Sequence, residues 1–401
     1  MVVTSTFPRW RGDREPPFVY ELSRRLAEDF DVWVMAPHTA GARLCEKWGR
    51  LRVIRFRYCF EWFEVLAYNG GILANLRRNP LRYLLVPLFV LAQLSALVCL
   101  LKRTKANVVH AHWLIPQGAV ALLARRLSMC NQAVLCTSHG SDLYGLRGPL
   151  FRLVKRWVMK GADRLTVVSR AMKDHAVEVG GNGAKIAVLS MGVDGVGRFV
   201  PDHSLLRHKD SLLYVGRLAA EKGLDLLIDA LPGIVRERPD VVLTVAGTGP
   251  MEGALRSQGR RLGVESRIRF RGVVENAKLP ELYRQATMLV LPSFREGFGL
   301  VCAEALACEC PVVASDLPAL RDIVRDGESG FLFSPGSSDE LADRILRLLA
   351  DPGLQRRFGE AGREWVMRHY DWRSVAGAYS ALLHGMLTTS SEEKNAVQVA
   401  E

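Results

Sequence analysis

The segment from Met288 to Asp316 constrains the fold more than any other stretch of the sequence. Its apolar run MLVLPS ends at the glycine-containing loop EGFG. Small and apolar residues follow at helical spacing in LVCAEALAC, and a second apolar run, CPVVAS, comes next. Strand, loop, helix and strand in this order make one parallel α/β unit. A similar alternation continues along most of the chain, and we therefore predict an α/β protein with two Rossmann-like βα domains that face a central cleft.

Two glutamates in this segment predict a ligand site. Gly297 and Gly299 allow the backbone to turn tightly and to approach a ligand closely. A helix that starts near Gly299 presents free N–H groups and the positive end of its dipole to a phosphate. Glu304, one turn inside the helix, can accept two hydrogen bonds from a vicinal diol, and Glu296 lies in the loop ahead of it. The predicted ligand carries a diol, a diphosphate and a further polar group. The alternative is a pair of acids without a ligand.

A second loop supplies positive charge. In YVGRLAAEKG a strand ends at Gly216, and Arg217 and Lys222 follow before the next helix. An arginine can hold a phosphate through two parallel hydrogen bonds and a lysine adds a point charge, so the two cations predict a clamp on the diphosphate. The alternative is a solvated loop in which Glu221 neutralises one of them. Further along, GTGP follows another strand, and its Gly249 predicts a turn beside the ligand.

The run SHGSD ends a strand in the first half of the chain and carries two more candidates. We expect His139 and Asp142 to face the cleft from the side opposite to the glutamates. A structural role is the alternative for His139. His110 and His112, in NVVHAHW, are less favoured, because one of the two should point into the core.

The net charge restricts the class of partner. The chain has 401 residues, a net charge of +12 and a pI near 9.5, which favours nucleotides, phosphorylated substrates, nucleic acid or an anionic membrane face. The sequence lacks the aromatic and basic interleaving of a nucleic-acid-binding surface, so we expect no nucleic-acid partner. Its eight cysteines are scattered without a CxxC pair, a usage typical of reduced thiols in a cytosolic protein rather than of zinc sites or disulfides.

One apolar segment is long enough to raise the question of a membrane. Residues Tyr83 to Leu101 carry no charge, and Arg82 and Lys102 flank them. The length reaches that of a spanning helix, but the strand-like runs on both sides, LRVIRFRY and NVVHAHW, should belong to one sheet. We predict a helix that packs on the sheet. The alternatives are a helix that also docks on an anionic membrane face and a true span.

Taken together, these motifs resemble those of retaining glycosyltransferase family 4. EGFGLVCAE is similar to the E-x7-E motif of the family, and GRLAAEKG to its GRL-x-x-EKG element. GTGP, LPELY, SHGSD and the run from Ser190 to Phe199 (SMGVD…RF) fall in the family's order. The resemblance covers nearly the whole chain and is strongest from 211 to 335. It implies the GT-B fold, with C-terminal helices that close the fold.

The resemblance also implies a role for each matching residue. Glu304 would hold the ribose hydroxyls, Arg217 and Lys222 the diphosphate, and Glu296 the hydroxyls of the donor sugar. His139 would contact the donor sugar near the reacting centre. Catalysis is thus expected of Glu296, His139, Arg217 and Lys222. The backbone near Val273 would contact the base, and the N–H groups of Phe298 and Gly299 would hold hydroxyls of the donor sugar. Gly249 and Leu300 are expected to make further donor contacts.

The first loop of the chain departs from the family pattern, which often has a Gly-Gly pair near the acceptor. Here the loop reads RWRGDREPP. Gly12 and Asp13 take the place of the pair, and we expect them, with Asp142, to contact the acceptor. The arginines of this loop suit either an anionic acceptor or a solvated surface: Arg9, Arg11 and Arg14.

The implied reaction moves a sugar from a UDP- or GDP-sugar to an acceptor hydroxyl, with retention of the anomeric configuration. The acceptor is left open among a lipid-linked glycan or glycolipid, a phospholipid and a soluble molecule, and polysaccharide or glycolipid biosynthesis is the expected context. The DxD-type pair, Asp29 and Asp31, sits at a helix-to-strand turn away from the ligand edge, so we expect neither a metal nor a cofactor. The alternatives are a nucleotide-sugar epimerase or phosphorylase of the same fold, and a non-enzymatic binder of membrane or nucleic acid.

The domain organisation follows from the same patterns. We predict an N-terminal acceptor-binding domain over residues 1–198 and a C-terminal nucleotide-sugar domain over 199–368. A helix over 369–388 is expected to pack back on the N-terminal domain, and the polar tail over 389–401 to be disordered. The expected location is the cytoplasm, including the inner face of the plasma membrane if residues 83–101 dock there.

Overall fold

The computed structural model describes residues 1–13, 15, 17–205 and 207–399. It forms two compact units. The first consists of Met1–Ser190 together with the C-terminal segment from Val375, and the second of Met191–Ser374. Each unit is built around its own β-sheet, which confirms the predicted pair of βα domains.

Eight strands form the sheet of the first unit. They are β1 (Val2–Val3), β2 (Trp33–Pro37), β3 (Cys45–Trp48), β4 (Leu51–Phe56), β5 (Val108–His112), β6 (Ala133–Ser138), β7 (Arg164–Val167) and β8 (Ile186–Val188). The helices between them are α1 (Phe18–Leu26), α2 (Ile72–Arg78), α3 (Leu85–Thr104), α4 (Ala119–Ser128), α5 (Ser141–Gly145), α6 (Pro149–Gly161) and α7 (Arg170–Val179).

The sheet of the first unit has the strand order β3-β4-β2-β1-β5-β6-β7-β8. The short β1 lies near its middle, where Val2 pairs with Val34 on one side and with His110 on the other. The pairs are parallel, except that the edge strand β3 runs antiparallel to β4. The strand order changes direction between β1 and β5, so the loops that follow these two strands meet at a topological switch point.

Six parallel strands form the sheet of the second unit. They are β9 (Ser211–Val215), β10 (Val242–Ala246), β11 (Ile268–Gly272), β12 (Met288–Leu291), β13 (Val312–Ser315) and β14 (Gly330–Phe333). The helices are α8 (Leu224–Glu237), α9 (Glu252–Arg261), α10 (Leu279–Gln285), α11 (Leu300–Ala307), α12 (Pro318–Arg321), α13 (Ser338–Ala350) and α14 (Pro352–His369), and α15 (Trp372–Val399) begins in this unit and ends in the first.

The sheet of the second unit has the order β11-β10-β9-β12-β13-β14. Strands β9, β12, β13 and β14 are near-continuous apolar runs, because helices cover both faces of a parallel sheet, whereas the edge strand β11 alternates exposed residues with buried or half-buried ones. Leu212, Leu243 and Val290 are among the fully buried residues of the core, which also takes in the apolar faces of α8 and α13. The first strand, β9, lies next to the fourth, β12, and the loops after these two strands meet at the switch point of this unit.

The boundary between the units differs from the predicted one. The chain divides after Ser190 rather than after residue 198, because residues 191–199 pack on the second unit. Val193 forms a bridge with Asp371, and the Arg363 guanidinium donates a hydrogen bond of 3.1 Å to the carbonyl of Gly195. A glycine-containing composition is typical of a linker, but here it allows close packing: a Cβ on Gly195 would lie 2.2 Å from Met367.

The C-terminal helix is longer than predicted. Where a disordered tail was expected from residue 389, α15 continues to Val399; residues 400 and 401 lie outside the described residues. The tail has neither glycine nor proline before residue 400, and extending a formed helix by a residue is far easier than nucleating one. The preceding part of α15 is anchored on the first unit, since the Ser380 hydroxyl donates a hydrogen bond of 2.6 Å to Asp29.

Helix α3 accounts for the long apolar segment. A 3-10 turn (Pro80–Leu84) leads into it, and its buried stripe includes Phe89, Leu97 and Leu101. The strands before and after it, β4 and β5, belong to one sheet, which fits the predicted packing on the sheet. Residues 80–104 are nevertheless long and apolar enough to cross a membrane, and only 28% of their most apolar window is buried.

Two leucines of α3 give a test of this placement. Leu97→Ala should lower the free energy of unfolding by about 2–5 kcal/mol, because Leu97 is fully buried and its removal leaves a cavity. Leu91 on the same helix is 60% exposed, so Leu91→Ala should change the same free energy by about 0.5 kcal/mol or less. Urea denaturation measures both values, and equal losses would contradict the described orientation of the helix.

Candidate functional site

The carboxyl ends of β9 and β12 bring the two predicted ligand loops together. These strands are neighbours, and the loops that follow them run from Gly216 to Gly223 and from Pro292 to Gly299. The backbone joins the loops directly, because the N–H of Phe294 donates a hydrogen bond of 2.9 Å to the carbonyl of Glu221. A switch point with two connected loops is a common ligand-binding position in open α/β sheets.

Glycines allow these loops to pack at backbone contact distance. Gly223 has a φ of +64°, and a Cβ there would lie 1.9 Å from the carbonyl oxygen of Pro292. A Cβ on Gly249 would lie 2.2 Å from the carbonyl oxygen of Leu218. Larger residues at either position would force the loops apart. Gly249 thus has a packing role in the structure, and its predicted contact with the donor stays a prediction.

Lys222 and Glu296 form an ion pair across the two loops. The lysine Nζ lies 2.6 Å from Glu296 Oε1, and the Ser293 hydroxyl donates a hydrogen bond of 2.8 Å to the same oxygen. The Glu296 side chain is only 9% exposed, so the lysine compensates a carboxylate that would otherwise be desolvated alone. The alternative from the sequence was that Glu221 neutralises one of the two cations; among the described residues, Lys222 is paired with Glu296 instead.

The side chain of Arg217 is exposed to solvent at the end of β9. The carbonyl of Arg217 accepts a hydrogen bond of 3.1 Å from the Tyr214 hydroxyl. Within the described part of the chain, Arg217 forms no ion pair. Of the two cations predicted to clamp a diphosphate, Lys222 is therefore engaged with Glu296, while the guanidinium of Arg217 can bind an anion without first breaking an ion pair.

The N-terminus of α11 is open for hydrogen bonding. Gly299 is its N-cap, with a φ of +95°, and a Cβ there would lie 2.4 Å from the Leu320 side chain. Among the described residues, the amides of Phe298, Gly299 and Leu300 donate no hydrogen bond. The Phe298 ring is buried, with its centroid 5.5 Å from that of Tyr370. Unsatisfied N–H groups at the positive end of a helix are suited to a phosphate or to hydroxyl oxygens.

Glu304 lies inside α11 in an environment that favours its protonated form. Packing around the carboxyl group raises its pKa from 4.5 to about 7, because burial disfavours the charged form. The Tyr283 hydroxyl donates a hydrogen bond of 2.9 Å to Oε2, and the positive charge of Arg198 acts in the same direction, lowering the pKa. The hydrogen bond and the positive charge lower the pKa of Glu304 by less than burial raises it.

Tyr283 and Arg198 are site residues that sequence reasoning missed. Tyr283 ends the LPELY run, and Arg198 belongs to the RF pair before Phe199; both runs were noted for their position and not for these side chains. Arg198 Nε is buried and has no hydrogen-bond partner among the described residues. An unpaired guanidinium N–H beside Glu304 offers a further donor to a ligand at this carboxylate.

A cavity lies at the end of β11, next to Val273. Its volume is about 220 Å³. Polar and apolar side chains line it: Arg271, Val273, Val274, Glu275, Lys278, Glu281, Leu282 and Gln285. Val273 itself is exposed. The cavity therefore occupies the place where the sequence resemblance puts the base of the donor, in the same unit as Glu304.

His139, in the first unit, belongs to an aromatic cluster at the ends of β5 and β6. Its Nε2 lies 2.9 Å from Nδ1 of His112, and its ring packs against Phe18 and Trp113 at centroid distances of 4.8 and 5.0 Å. Burial lowers the pKa of His139 to about 3, so the imidazole is neutral at neutral pH. Its Nδ1 has no hydrogen-bond partner in the described residues. Sequence reasoning did not foresee that His112 contacts His139 directly.

Asp142 is enclosed between two loops of the first unit. The carboxylate accepts hydrogen bonds of 2.7 Å from the N–H of Leu114 and 2.8 Å from the Ser138 hydroxyl, and burial raises its pKa. These bonds give Asp142 a structural role, since they tie the loop after β5 to the loop after β6. The predicted contact with the acceptor stays a prediction.

The first loop places the remaining predicted acceptor residues. Asp13 accepts hydrogen bonds of 2.9 and 2.7 Å from the Arg9 guanidinium and one of 2.8 Å from the Arg9 N–H. Arg9 is therefore engaged within its own loop. Gly12 is exposed with a φ of +81°, Arg11 is exposed, and Arg14 lies outside the described residues.

The structure also bears on metal binding. Asp29 accepts the hydrogen bond from Ser380, and Asp31 lies 3.6 Å from the Arg52 guanidinium, so both acids of the DxD-type pair have partners in the first unit. No group of three or more His, Cys, Asp or Glu side chains with metal-binding geometry occurs among the described residues. Expected metal independence remains a prediction about the reaction.

Solved structures share this architecture. Sucrose-phosphate synthase from Thermosynechococcus elongatus matches with a TM-score of 0.78 and 23% identity, covering 93% of each chain. HepE from Anabaena, solved with UDP and glucose, matches with a TM-score of 0.73 and 18% identity, covering 96% of this chain and 98% of that chain. The two parallel-sheet units thus define a protein of the GT-B glycosyltransferase fold.

Sequence comparisons then identify the family. The family model described as Glycosyltransferase Family 4 matches residues 17–195, and the one described as Glycosyl transferases group 1 matches residues 201–365. The chain belongs to glycosyltransferase family 4, as its motifs predicted. The glycogen synthase of Mycobacterium tuberculosis is 34% identical over 279 residues, 68% of this chain and 67% of that protein.

Relatives named as mannosyltransferases are similar over more of the chain. The phosphatidyl-myo-inositol mannosyltransferase of Mycobacterium leprae is 34% identical over 297 residues, 73% of this chain and 76% of that protein. The GDP-mannose-dependent alpha-(1-6)-phosphatidylinositol monomannoside mannosyltransferase of Mycolicibacterium smegmatis is 28% identical over 404 residues, 96% of this chain and 98% of that protein. The chain is therefore a glycosyltransferase related to mannosyltransferases and to glycogen synthase.

The pKa of Glu304 predicts a pH dependence of stability. A carboxyl group with a raised pKa in the folded state binds its proton more tightly there, so its contribution to stability is full below pH 4.5 and is lost as the pH rises toward about 7. The loss relative to Glu304→Gln, which keeps a neutral side chain, should reach roughly 3 kcal/mol at most by pH 8. Urea denaturation of both proteins at pH 5 and pH 8 measures it.

A matched control is available on the surface of the same unit. Glu360 is exposed on α14, and Glu360→Gln should leave the difference between pH 5 and pH 8 as it is in the unmodified protein. If Glu304→Gln and Glu360→Gln show the same pH dependence, Glu304 does not have the raised pKa.

Proposed function

We propose that this glycosyltransferase transfers a sugar from a UDP- or GDP-sugar to an acceptor hydroxyl with retention of the anomeric configuration. The observation that carries the proposal is the arrangement of groups at the switch point of the second unit. Positive charge comes from Arg217, Lys222 and the open N-terminus of α11. Glu296 contributes a carboxylate in the loop before α11, and Glu304 contributes a second one inside the helix. This set is complementary to a diphosphate that carries a ribose at one end and a sugar at the other.

The Lys222–Glu296 ion pair suggests how donor binding proceeds. In the free protein the two charges neutralise each other at 2.6 Å. A diphosphate carries more negative charge than one carboxylate, so Lys222 can turn toward it when the donor binds. Glu296 then has an oxygen available for the hydroxyls of the donor sugar, together with the amides of Phe298 and Gly299.

Transition-state stabilisation is proposed to come from these same cations. The bond between the anomeric carbon and the diphosphate breaks, the bond to the acceptor oxygen forms on the same face, and the proton of the acceptor hydroxyl passes to the departing phosphate oxygen. Negative charge grows on the diphosphate as its bond to the sugar breaks. Arg217, the α11 dipole and Lys222, once it has turned toward the bound donor, would stabilise that charge, so we propose that transfer does not require a divalent metal and persists in EDTA.

The names of related proteins support a particular class of donor and of acceptor. HepE was solved with UDP, and the Mycolicibacterium smegmatis relative is named for GDP-mannose, which supports a uridine or guanosine diphosphate sugar. Several relatives are named for transfer to phosphatidylinositol and its mannoside, which supports a lipid-linked acceptor over a soluble one. We accordingly propose a role in glycolipid or polysaccharide biosynthesis at the cytoplasmic side of a membrane.

The second candidate function is a nucleotide-sugar epimerase or phosphorylase of the same fold. It shares the diphosphate and ribose contacts and differs in the reaction that follows. A radiolabelled donor separates the possibilities, because an epimerase changes the donor without any acceptor and a phosphorylase requires inorganic phosphate. Label that appears only in an acceptor-dependent product supports transfer.

Single substitutions test the assigned roles. Lys222→Met should lower kcat by about 10²–10³-fold, because it removes a charge that stabilises the leaving diphosphate, and Glu296→Gln should lower activity with the full donor more than it weakens binding of the free nucleoside diphosphate. Donor turnover in a radiolabel assay and nucleotide binding by calorimetry provide the two measurements.

The control for these variants is Arg356→Ala, which removes an exposed cation from α14 and should leave both quantities unchanged. Full activity of Lys222→Met and Glu296→Gln would contradict the proposed site. Product analysis by NMR reports the anomeric configuration, and an inverted product would contradict retention.

A further inference from the structure

A group of large apolar side chains on the first unit is exposed to solvent. Phe60 and Trp62, in the segment after β4, are 72% and 75% exposed, and Leu84, at the start of α3, is 75% exposed. The Phe60 and Trp62 rings stack on each other at a centroid distance of 6.1 Å. Contiguous apolar surface of this kind on a protein generally marks a binding surface.

The outer face of α3 continues this surface. Leu84, Leu88 and Leu91 recur at the spacing of one helical face and are all exposed. The opposite face carries the buried stripe that includes Phe89 and Leu97. A helix that served only to cover the sheet would have a polar outer face, so the outer leucines require a different explanation.

The two segments are held together by packing and hydrogen bonds. The Phe89 ring lies 5.1 Å from that of Tyr58, which lies two residues before Phe60, the first residue of the exposed aromatic segment. At the other end, the Asn75 side chain donates hydrogen bonds to the carbonyls of Leu66 and Tyr68, and Arg82 donates one of 2.9 Å to Asn75. The aromatic segment and the start of α3 are therefore neighbours in one rigid arrangement.

The start of α6 exposes a further apolar group. Leu150 and Leu153 are exposed there beside Arg152. Gly145, at the end of α5 and four residues before α6, lies close to α2, since a Cβ on it would lie 3.3 Å from the Leu73 side chain. Exposed leucines beside an arginine are typical of helices that lie at a membrane interface.

Positive charge predominates in this part of the chain, and the exposed carboxylate of Glu61 lies within the aromatic segment. Thirteen lysines and arginines lie between Val65 and Ala162, and the single carboxylate in that range, Asp142, is buried. Arg77 and Arg78, at the end of α2, are exposed next to the apolar surface. A second copy of this chain would bring the same positive charge against it, whereas an anionic lipid surface is complementary to it.

We propose that the surface formed by Phe60–Phe63, the outer face of residues 81–91 and the start of α6 docks on the anionic face of a phospholipid bilayer. Residues Trp62 and Tyr83 enter the headgroup region, where amphipathic aromatic rings are enriched, and the leucines enter the acyl boundary. Helix α3 lies along the interface and does not cross it, because β4 and β5 on either side of it belong to one sheet. The inference concerns binding alone and does not depend on the sugar-transfer reaction.

Vesicle flotation with the full chain tests the proposal. Vesicles of phosphatidylcholine with 30% phosphatidylglycerol should carry most of the protein at low salt, and vesicles of phosphatidylcholine alone should carry at least about tenfold less. The pair Trp62→Ser and Leu84→Ser should reduce flotation about tenfold, and the pair Arg77→Glu and Arg78→Glu should do so on anionic vesicles only. The matched controls are Val177→Ser with Val196→Ser, and Arg356→Glu with Arg357→Glu, which should float as the unmodified protein does.

The outcomes separate this proposal from its rivals. Equal flotation of the surface variants and their controls overturns it, as does equal binding to neutral and anionic vesicles, or protein that resists extraction at alkaline pH as a spanning helix would. A dimer in solution that loses its interface in the Trp62 and Leu84 variant also overturns it. Glu296→Gln should float normally, so loss of transfer without loss of flotation bears on the enzymatic proposal alone.

A conservative variant keeps the test valid if the serine variants unfold. Brominated lipids quench tryptophan fluorescence at the depth of the bromine, and Trp62→Phe should float normally while losing a measurable part of that quenching. Quenching that is identical in Trp62→Phe and the unmodified protein contradicts the placement of Trp62 in the bilayer.

Discussion

The contact between the loops after β9 and β12 is the constraint on which the rest of the site depends. Backbone meets backbone there without a side chain between, because Gly223 leaves room for the carbonyl of Pro292 and Glu221 accepts the N–H of Phe294. This contact sets the 2.6 Å separation of Lys222 and Glu296. The two residues lie far apart in sequence, and they meet because their strands are neighbours at the switch point of the sheet.

Much of the fold and of the site could be predicted from local sequence patterns. Apolar runs that alternate with segments of helical spacing identified the two α/β units, because strands and helices each bury residues at a characteristic spacing along the sequence. The candidate ligand-binding residues could be predicted because ligands bind at the carboxyl ends of parallel strands: Arg217, Lys222, Glu296 and Glu304. Both kinds of inference need only neighbours along the chain.

What the sequence could not provide depends on contacts between distant segments. The Lys222–Glu296 pair, the hydrogen bond from Tyr283 to Glu304 and the contact of His112 with His139 each join different strands or helices. The predicted boundary after residue 198 differs from the observed one after Ser190 for the same reason, because glycines that are typical of a flexible linker also permit close packing. The C-terminal tail was misjudged because polar composition says little about whether a helix already formed will continue.

The burial of Glu304 has a consequence for nucleotide binding under the proposed assignment of this residue to the ribose. An acid that titrates near neutrality is partly protonated in the free protein, while a ribose diol needs the carboxylate. Arrival of the nucleotide would then release a fraction of a proton to solvent, and its departure would take that fraction back. Under the proposed assignment, the occupancy of this site by nucleotide would be coupled to the proton concentration around the protein, through a residue to which no part in breaking the sugar–phosphate bond is assigned.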